Sequence, residues 1–444
     1  GATDVLAQTS LLDLYDPDRS QEIKYRGVAK GWQTFSKEIR AKIDENRGNG
    51  GEGIRFLTGT VVSPSLVDQF KRLAEELPNA KLVQYDPVNN DNAVAGAKMA
   101  FGSPAQAVYK FDKAERILSL DADLFSGFNV RYIKDYAKGR AVSKDNTEMN
   151  RLYAVETTMS LTGAKADHRI AVKPSQMVEI AKAIAKALGV SGAESSYSDN
   201  AKWIEEMAKD LGANKGKSLV VAGKNQSPMV HALANAMNDA LGATGETVEY
   251  IEPFQPNAET LQSEQLAELI KDIDAGTVKM LVIMGVNPVY NTPIDQKLNG
   301  ERMAKIETTV HLGEHFDETG FVSKWHISGK HYLESWGDVE AQNGSYSLVQ
   351  PTISPLFDTR SALVSLLAWS GNSNAYPTVI PSATDSTAVA APSVVVSDRP
   401  EYDYLVKYWQ SNVFGKQSKF STFQGFWDSA LHDGIFEANV TASV

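Results

Sequence analysis

The stretch Lys279–Pro293, KMLVIMGVNPVYNTP, decides the fold. Its first part, Lys279–Met284, is a short apolar run that ends at Gly285, a pattern typical of a buried parallel strand. The loop after such a strand lies at its carboxyl end, where open α/β sheets bind ligands. There Gly285 permits a sharp turn, Asn287 offers an amide, and Pro288 stiffens the exit. The stretch predicts either an ordinary strand-to-helix loop or one side of a binding site.

Two other segments share one pattern: a strand, a Gly, three residues, Ser-Pro and a helix. The strands are Ile54–Gly59 and Ser218–Gly223, and the pairs Ser63-Pro64 and Ser227-Pro228 follow them. Ser suits the N-cap of a helix and Pro suits its first position. We therefore expect two βαβ units, whose helix N-termini either bind anions or are simply good helix starts. The strands expected to close these units are Lys81–Tyr85 and Thr247–Ile251.

The residues between these two units alternate strands and helices of their own. This alternation predicts an α/β protein with two Rossmann-like αβα lobes, one inserted in the other. A Pro-, Ser-, Thr- and Ala-rich stretch then reads as a linker, and aromatic residues follow it. The predicted domains are 1–86 with 201–374 (first, discontinuous lobe), 87–200 (inserted lobe), 375–400 (linker) and 401–444 (aromatic-rich C-terminal helical segment). One face of that last segment carries Phe423, Phe426, Trp427 and Leu431, which would dock on the core or on a partner.

The bulk composition excludes several classes of protein. The chain has 444 residues and a net charge of −11, which argues against nucleic acid or an anionic membrane as a partner. No apolar run approaches the roughly 20 residues that span a bilayer. The sequence has no cysteine, so disulfides, cysteine-ligated clusters and cysteine nucleophiles are excluded from this chain.

Histidines are concentrated in residues 309–358, which contain four of the seven. On a strand, His311 and His315 would point to one side but lie about 13 Å apart, too far for one metal ion. Neither this pair nor His326 and His331 matches a His-Glu-x-x-His helix. We therefore predict hydrogen-bonded structural histidines rather than a metal site. No nucleophile elbow is present either, and we predict no catalytic residue.

The order of these segments resembles the molybdopterin oxidoreductase superfamily of the DMSO reductase and formate dehydrogenase type. The resemblance is closest to the molybdopterin-like domain of the iron–sulfur large subunit of alternative complex III. It runs from about Trp32 to Trp369. The segments that carry it are RLYAVETTMSLTGAKADHRIAVKPSQMVEIAKAI (Arg151–Ile184), VIMGVNPVYNTP (Val282–Pro293) and HLGEHFDETGFVSKWHISGKHYLESWGD (His311–Asp338).

The resemblance implies where a cofactor would bind. Active members of the superfamily hold two pterin dinucleotides, and each lobe offers a Gly-x-Asn-Pro loop after a strand. The loop candidates in this chain are Gly285, Asn287, Pro288, Thr292 and Pro293, with Asp121 and Asp123 at the corresponding loop of the inserted lobe. Two carboxylates there would face a pyrophosphate with like charge, at a cost of roughly 1 to several kcal/mol each. No cysteine is present to ligate molybdenum, so we expect no molybdenum cofactor, and Asp121 and Asp123 are equally consistent with ordinary helix-capping carboxylates.

The resemblance also implies a function. The chain would be a structural and docking part of a quinol-oxidising respiratory complex, peripheral on the periplasmic side of the bacterial inner membrane. Its partners would be a multihaem cytochrome c, a quinol-binding membrane subunit and a lipoprotein. The 4Fe-4S and 3Fe-4S clusters would lie in a ferredoxin-like domain outside this chain.

Two other functions stay open. One is an active molybdopterin oxidoreductase subunit that binds a pterin dinucleotide through Gly285–Pro293. The other is an unrelated nucleotide-binding α/β protein, against which the absence of a Gly-x-Gly-x-x-Gly motif and of a P-loop counts.

Overall fold

A computed structural model describes residues 3–126, 129–144, 147–342, 344–370 and 399–438. The chain forms two compact units. The inserted unit consists of residues 90–254, with which residues 3–10 are grouped, and the outer unit consists of residues 11–89 and 255–438. The fold is mixed α/β with parallel sheets, as the sequence predicted.

Helices and strands alternate along much of the described chain. The α-helices are α1 (Val5–Leu14), α2 (Trp32–Arg47), α3 (Pro64–Glu76), α4 (Asp91–Phe101), α5 (Val130–Arg140), α6 (Leu161–Lys165), α7 (Met177–Ala187), α8 (Ala201–Ala213), α9 (Pro228–Ala240), α10 (Gln262–Asp274), α11 (Pro288–Asn291), α12 (Gly300–Ala304), α13 (Glu318–Val322), α14 (Ala362–Trp369), α15 (Pro400–Tyr408) and α16 (Phe423–Asp433). The strands are β1 (Ile23–Tyr25), β2 (Val28–Lys30), β3 (Ile54–Thr58), β4 (Lys81–Gln84), β5 (Gln106–Tyr109), β6 (Arg116–Leu120), β7 (Arg151–Glu156), β8 (His168–Ala171), β9 (Ser218–Ala222), β10 (Val248–Ile251), β11 (Met280–Met284), β12 (Thr308–Gly313), β13 (Trp325–Ser328), β14 (Gly337–Gln342), β15 (Ser345–Val349) and β16 (Ile435–Glu437). Short 3-10 segments lie at Pro174–Gln176, Ile294–Gln296, Tyr332–Glu334 and Phe414–Lys416, and a π-helical turn lies at Trp409–Val413.

The outer unit is built on a seven-stranded sheet in the order β2-β1-β13-β12-β11-β3-β4. Strand β11 lies inside the sheet and pairs in parallel with β12 on one side and β3 on the other. All five of its residues are buried, because helices cover both faces of a parallel sheet. The short apolar run before Gly285 is therefore the buried parallel strand that its sequence predicted.

Helix α3 begins as its sequence predicts. Pro64 is its first residue, and the hydroxyl of Ser63 accepts a hydrogen bond from the backbone amide of Leu66 at 3.2 Å. Its apolar residues Val67, Phe70 and Leu73 are buried, and each such burial contributes about 1.5–3 kcal/mol.

The inserted unit contains a four-stranded parallel sheet in the order β8-β7-β6-β9. The sequence predicts that residues 201–254 belong to the first lobe, and this prediction is wrong. Instead β9 pairs in parallel with β6, with Leu118 opposite Val220. The reason is that a strand–helix pattern indicates local structure and not which sheet the strand joins.

The segment Ser218–Ile251 is also not a βαβ unit. Strand β10 pairs antiparallel with β5 in a separate two-stranded sheet, with Glu249 opposite Val108. The chain therefore leaves the parallel sheet after α9. A helix as long as α9 can lead the chain to a different sheet as readily as back to the sheet that contains β9.

The C-terminal segment packs on its own outer unit. The predicted linker lies outside the described residues except for Arg399 and Pro400. After it, β16 pairs antiparallel with β15, and Phe436 lies opposite Tyr346. A buried aromatic cluster forms around Trp409, Phe426 and Trp427 and includes Tyr346. The aromatic face predicted from the sequence therefore docks on the chain itself, with Phe423 and Leu431 partly buried.

Candidate functional site

A cavity of about 390 Å³ lies in the outer unit at the carboxyl ends of β3, β11, β12 and β13. This is the edge at which parallel α/β sheets bind ligands. The residues that line it are Thr58–Ser63, Leu66, Met284, Gly285, Leu312–Glu314, Gly329, Lys330, Asp338, Val339 and Arg360–Ala362. Of the residues predicted for the nucleotide loop, Gly285 reaches this cavity.

The predicted loop is held by hydrogen bonds to the following strand and helix. Gly285 has φ of +67° and donates its amide to the carbonyl of Leu312 at 2.9 Å, so a residue without a side chain suits the turn. The side-chain amide of Asn287 donates to Glu318 Oε2 at 2.8 Å, and its oxygen accepts from the hydroxyl of Thr319 at 2.7 Å. Asn287 is therefore engaged by α13.

The remaining loop candidates stabilise the exit of the loop. Pro288 is buried at the first position of α11. The hydroxyl of Thr292 donates to the carbonyl of Pro288 at 2.6 Å and accepts from the amide of Leu298 at 3.1 Å. Pro293 is exposed and precedes a 3-10 turn. The hydroxyl of Thr292 is therefore already used within the loop, both as a donor and as an acceptor.

The N-terminus of α3, a candidate anion site by sequence, holds a carboxylate of the chain itself. Asp338 Oδ1 accepts hydrogen bonds from the Ser63 hydroxyl at 2.6 Å, the Ser65 hydroxyl at 2.7 Å and the Ser65 amide at 3.2 Å. Its Oδ2 accepts from Trp409 Nε1 at 3.1 Å. Asp338 is buried, and burial raises its pKa. The four donors stabilise its charge in place of an external anion.

A second carboxylate closes the loop after β3. Asp86 Oδ2 accepts from the amide of Thr60 at 2.8 Å and from its hydroxyl at 2.6 Å. A Cβ at Gly59 would lie 2.9 Å from Asp86 Oδ1, so the carboxylate packs directly on the glycine. Both polar groups of Thr60 are thus committed inside the chain.

In the inserted unit, Asp121 is at the carboxyl end of β6 with φ of +56°. Its Oδ1 accepts from the Thr157 amide at 2.8 Å and hydroxyl at 3.1 Å, and its Oδ2 accepts from Gln226 Nε2 at 2.8 Å. Gly223 packs against this turn so closely that a Cβ would lie 2.0 Å from the carbonyl oxygen of Asp121. Asp121 therefore joins the loops after three strands of the parallel sheet.

Asp123 accepts hydrogen bonds from the hydroxyls of Thr162, at 3.0 Å, and of Ser126. Partial burial opposes its ionisation, but these hydrogen bonds outweigh burial and lower the pKa of Asp123. Asp121 and Asp123, the residues predicted for the loop of the inserted lobe, thus accept hydrogen bonds from neighbouring turns through their carboxylates. They do not converge on a shared ligand position.

Glu156, at the carboxyl end of β7, fills the next turn. Its Oε2 accepts from the Ser160 hydroxyl at 2.7 Å, and its Oε1 accepts from Arg169 Nε. A Cβ at Gly163 would lie 1.8 Å from Glu156 Oε1, so only glycine fits against this buried carboxylate. Asp86 and Asp338 do not stand out in the sequence, because their partners lie 26 and 273 positions away. Glu156 does not stand out either, because no sequence pattern distinguishes a carboxylate that binds Ser160 and Arg169 from an exposed one.

Two of the four histidines in residues 309–358, His311 and His326, form a pair that the sequence spacing did not predict. His311 and His326 face each other on β12 and β13, with their Nδ1 atoms 3.1 Å apart. The hydroxyl of Ser20 lies 2.6 Å from His326 Nε2. Burial lowers the pKa of both rings, that of His326 to about 3, so both are neutral. His315 instead lies 3.4 Å from Asp16.

Metal-binding and membrane-spanning features are both absent from the described ranges. Within them, no three His, Asp or Glu side chains are grouped so as to hold a metal ion. No helix in the same ranges has the length and apolar character to cross a membrane.

Comparison with known proteins gives one match in sequence. No family model matches the chain. The chain is 22% identical over 312 residues to the molybdopterin-binding-like subunit of menaquinone reductase from Nitratidesulfovibrio vulgaris strain Hildenborough. That match covers 61% of this chain and 45% of the relative. The matched region therefore spans less than half of the relative's length.

Two solved structures share the fold. Acetylene hydratase from Pelobacter acetylenicus is similar with a TM-score of 0.59 at 11% identity, over 81% of this chain and 63% of that one. The formyltransferase/hydrolase complex of Methylorubrum extorquens, determined with methylofuran, is similar with a TM-score of 0.51 at 14% identity, over 78% of this chain and 96% of that one. At 11% and 14% identity these two structures show a shared fold, and the place of the chain in the molybdopterin oxidoreductase superfamily stays a prediction. The closer link to alternative complex III stays a prediction.

The superfamily resemblance implies one pterin dinucleotide at the loop after β11 and another at the loop after β6, and the side-chain donors at the β6 edge do not fit a pyrophosphate. A pyrophosphate needs uncommitted N–H and O–H donors and positive charge. At Asp121, Asp123 and Glu156 the side-chain hydroxyls are bound by carboxylates of the chain. An added phosphate would face these carboxylates with like charge.

Proposed function

We propose that this chain is a molybdopterin oxidoreductase-like domain that holds no molybdenum cofactor and serves as a structural and docking part of a quinol-oxidising respiratory complex of the alternative complex III type. It lies peripherally on the periplasmic side of the bacterial inner membrane. Electrons pass through 4Fe-4S and 3Fe-4S clusters of a ferredoxin-like domain outside this chain. A multihaem cytochrome c, a quinol-binding membrane subunit and a lipoprotein are its partners.

The observation that carries the proposal is the use of internal carboxylates at the carboxyl edges of both parallel sheets. Asp338 and Asp86 take the donors of the outer unit, and Asp121, Asp123 and Glu156 take those of the inserted unit. An enzyme of the superfamily would keep such donors for its cofactor. A domain whose donors are bonded to its own carboxylates keeps the fold and gains rigidity instead.

Exposed apolar side chains near the Gly285–Pro293 loop support a docking role. Tyr290, Ile294 and Phe321 are 76%, 91% and 77% exposed. Large apolar side chains exposed on one side of a unit are typical of surfaces that bind other proteins. The similarity to a subunit of menaquinone reductase and to a multisubunit complex supports the same role.

The cofactor proposal is tested on the intact polypeptide purified from its native host. We expect no molybdenum or tungsten by inductively coupled plasma analysis and no fluorescence of oxidised pterin, alongside abundant iron. A known molybdopterin enzyme purified from the same cells is the control that the cofactor is being made. Stoichiometric metal with pterin overturns the proposal and favours the alternative, an active subunit that binds a pterin dinucleotide through Gly285–Pro293.

The docking proposal is tested by charge substitutions in the tagged, intact polypeptide in the same host. We expect Ile294→Asp to reduce the haem and partner subunits that copurify with the chain. Val28→Asp, which places the same charge on a 61% exposed valine of β2, is the matched control. Loss of partners in Val28→Asp alone would contradict the assignment of the docking surface to the Tyr290, Ile294 and Phe321 side.

A further inference from the structure

The cavity at the carboxyl edge of the outer sheet contains several charged groups that are already paired. Lys330 Nζ lies 3.1 Å from Glu401 Oε1, and Arg360 lies 2.7 Å from Asp358 and over the ring of Trp32. The carboxylate of Asp338 has four donors. Each of the two cations in the cavity wall therefore already has a carboxylate partner.

Glu314 differs from these groups because its carboxyl makes no hydrogen bond within the described part of the chain. Its nearest cation is Arg19, whose Nε lies 3.9 Å from Glu314 Oε2. The Arg19 guanidinium is fully buried and pairs with Glu334 at 2.8 Å, so its charge is already balanced. Arg19 Nε itself is buried without a hydrogen-bond partner among the described residues. Glu314 lines the cavity, and the group of Arg19, Glu314 and Glu334 carries one net negative charge when Glu314 is ionised.

We propose that this cavity binds a small organic cation, an amidinium or ammonium group on an apolar body, with Glu314 as its counter-ion. The walls provide apolar contacts from Val61, Leu66, Met284, Leu312 and Val339. A volume of about 390 Å³ accepts a body of one or two rings. A carboxylate that makes no hydrogen bond and only a 3.9 Å ion pair with Arg19 binds a cation or a neutral donor and repels an anion.

The protonation of Glu314 gives the proposal a second observable. Burial raises the pKa of Glu314 to about 7, with Arg19 and His315 lowering it and Glu334 and Asp13 raising it. Lys330 and Arg360 face the same cavity but are paired. Because a bound cation stabilises the carboxylate, binding of the cation below pH 7 releases a proton. Affinity for the cation should therefore rise between pH 6 and pH 8.

The test uses three probes of one shape: benzamidine, which is a cation, benzamide, which is neutral, and benzoate, which is an anion. Isothermal titration of the purified chain at pH 8 should give the order benzamidine, benzamide, benzoate, from tightest to weakest. We expect Glu314→Gln to weaken benzamidine about tenfold and to leave benzamide unchanged. Glu301→Gln, the same substitution at an exposed position, is the matched control and should change neither.

The outcomes separate this proposal from the cofactor proposal. Equal benzamidine affinity in Glu314→Gln and the unaltered chain, or tighter binding of benzoate or inorganic phosphate, overturns the cation site. The inference rests on a cavity free of pterin, so the metal and pterin content of the same preparation is measured in parallel. Should Glu314→Gln fail to fold, the proton released on benzamidine binding to the unaltered chain at pH 6, measured in buffers of different ionisation enthalpy, decides the question, and its absence counts against the site.

Discussion

The carboxylate of Asp338 lies 2.7 Å from the hydroxyl and 3.2 Å from the backbone amide of Ser65, in the first turn of α3. The two residues are 273 positions apart in the chain. A helix N-terminus attracts negative charge through its free N–H groups and its dipole. In this protein the attraction is satisfied by a side chain from β14, and other carboxylates, of Asp86 and Asp121, accept the backbone amides of the loop residues Thr60 and Thr157.

Asp338→Ala should lower the free energy of unfolding by about 3 kcal/mol, because it leaves the donors of Ser63, Ser65 and Trp409 buried without an acceptor. Urea unfolding followed by tryptophan fluorescence measures the change. Trp409→Phe removes the indole donor and its hydrogen bond to Asp338 Oδ2 but leaves the other donors bonded. It should lower the free energy of unfolding by less, about 1–2 kcal/mol. Equal stability of Asp338→Ala and the unaltered chain would show that the carboxylate has no such role.

Substitutions at Asp121 should separate its backbone conformation from its carboxylate. Asparagine tolerates φ of +56°, so Asp121→Asn loses charge-assisted hydrogen bonds alone, about 1 kcal/mol. Asp121→Ala adds the strain of a left-handed residue and should cost about 2–3 kcal/mol. Chemical denaturation of the two variants gives the difference. Asp199→Asn, at an exposed position of the same unit, is the control and should change stability by less than about 0.5 kcal/mol.

Glu314 should make stability depend on pH between 4.5 and 7. The folded pKa, about 7, lies above the ordinary value of 4.5. In that window the unfolded carboxyl has lost its proton and the folded one retains it, so stability falls as pH rises. Glu314→Gln should remove this slope and be more stable above pH 7 by roughly 1 kcal/mol, a reduced figure because the side chain is 36% exposed. Parallel slopes in thermal unfolding of the two proteins would contradict the shift.

A double-mutant cycle tests whether Asn287 is engaged by Thr319. We expect Asn287→Ala and Thr319→Val each to cost about 1–2 kcal/mol and their coupling energy to be about 1 kcal/mol, because they share one hydrogen bond. Urea midpoints of the four proteins give the coupling. A coupling near zero would mean that the side-chain oxygen of Asn287 is not held by Thr319.

The C-terminal aromatic cluster should contribute strongly to the outer unit. Phe426 is 1% exposed and contacts Trp409 and Phe436. Phe426→Ala should therefore cost about 3–5 kcal/mol by creating a cavity. Thermal unfolding measures the loss, and Ile435→Ala, at a 51% exposed position, is the control. A small effect of Phe426→Ala would show that this segment docks weakly on the chain.

Local patterns predicted most of the strands and helices near the site. The apolar run of β11 and the Ser63-Pro64 start of α3 follow from residues adjacent in sequence, so periodicity and capping rules apply to them. The placement of Asp121 and Asp123 at the carboxyl end of β6 followed in the same way. The sheet that β9 joins did not, because strand partners are chosen by packing between segments far apart in the chain.

The sequence by itself determined the parallel α/β class and the glycine turn at Gly285, since both depend on short-range preferences of the backbone. Only the tertiary structure decided what happens at the sheet edges. Whether a loop donor awaits a ligand or is bonded to a carboxylate such as Asp338 depends on chain folding that brings together residues hundreds of positions apart. Hydrogen bonds and desolvation act over a few ångströms, and that proximity exists only in the folded protein.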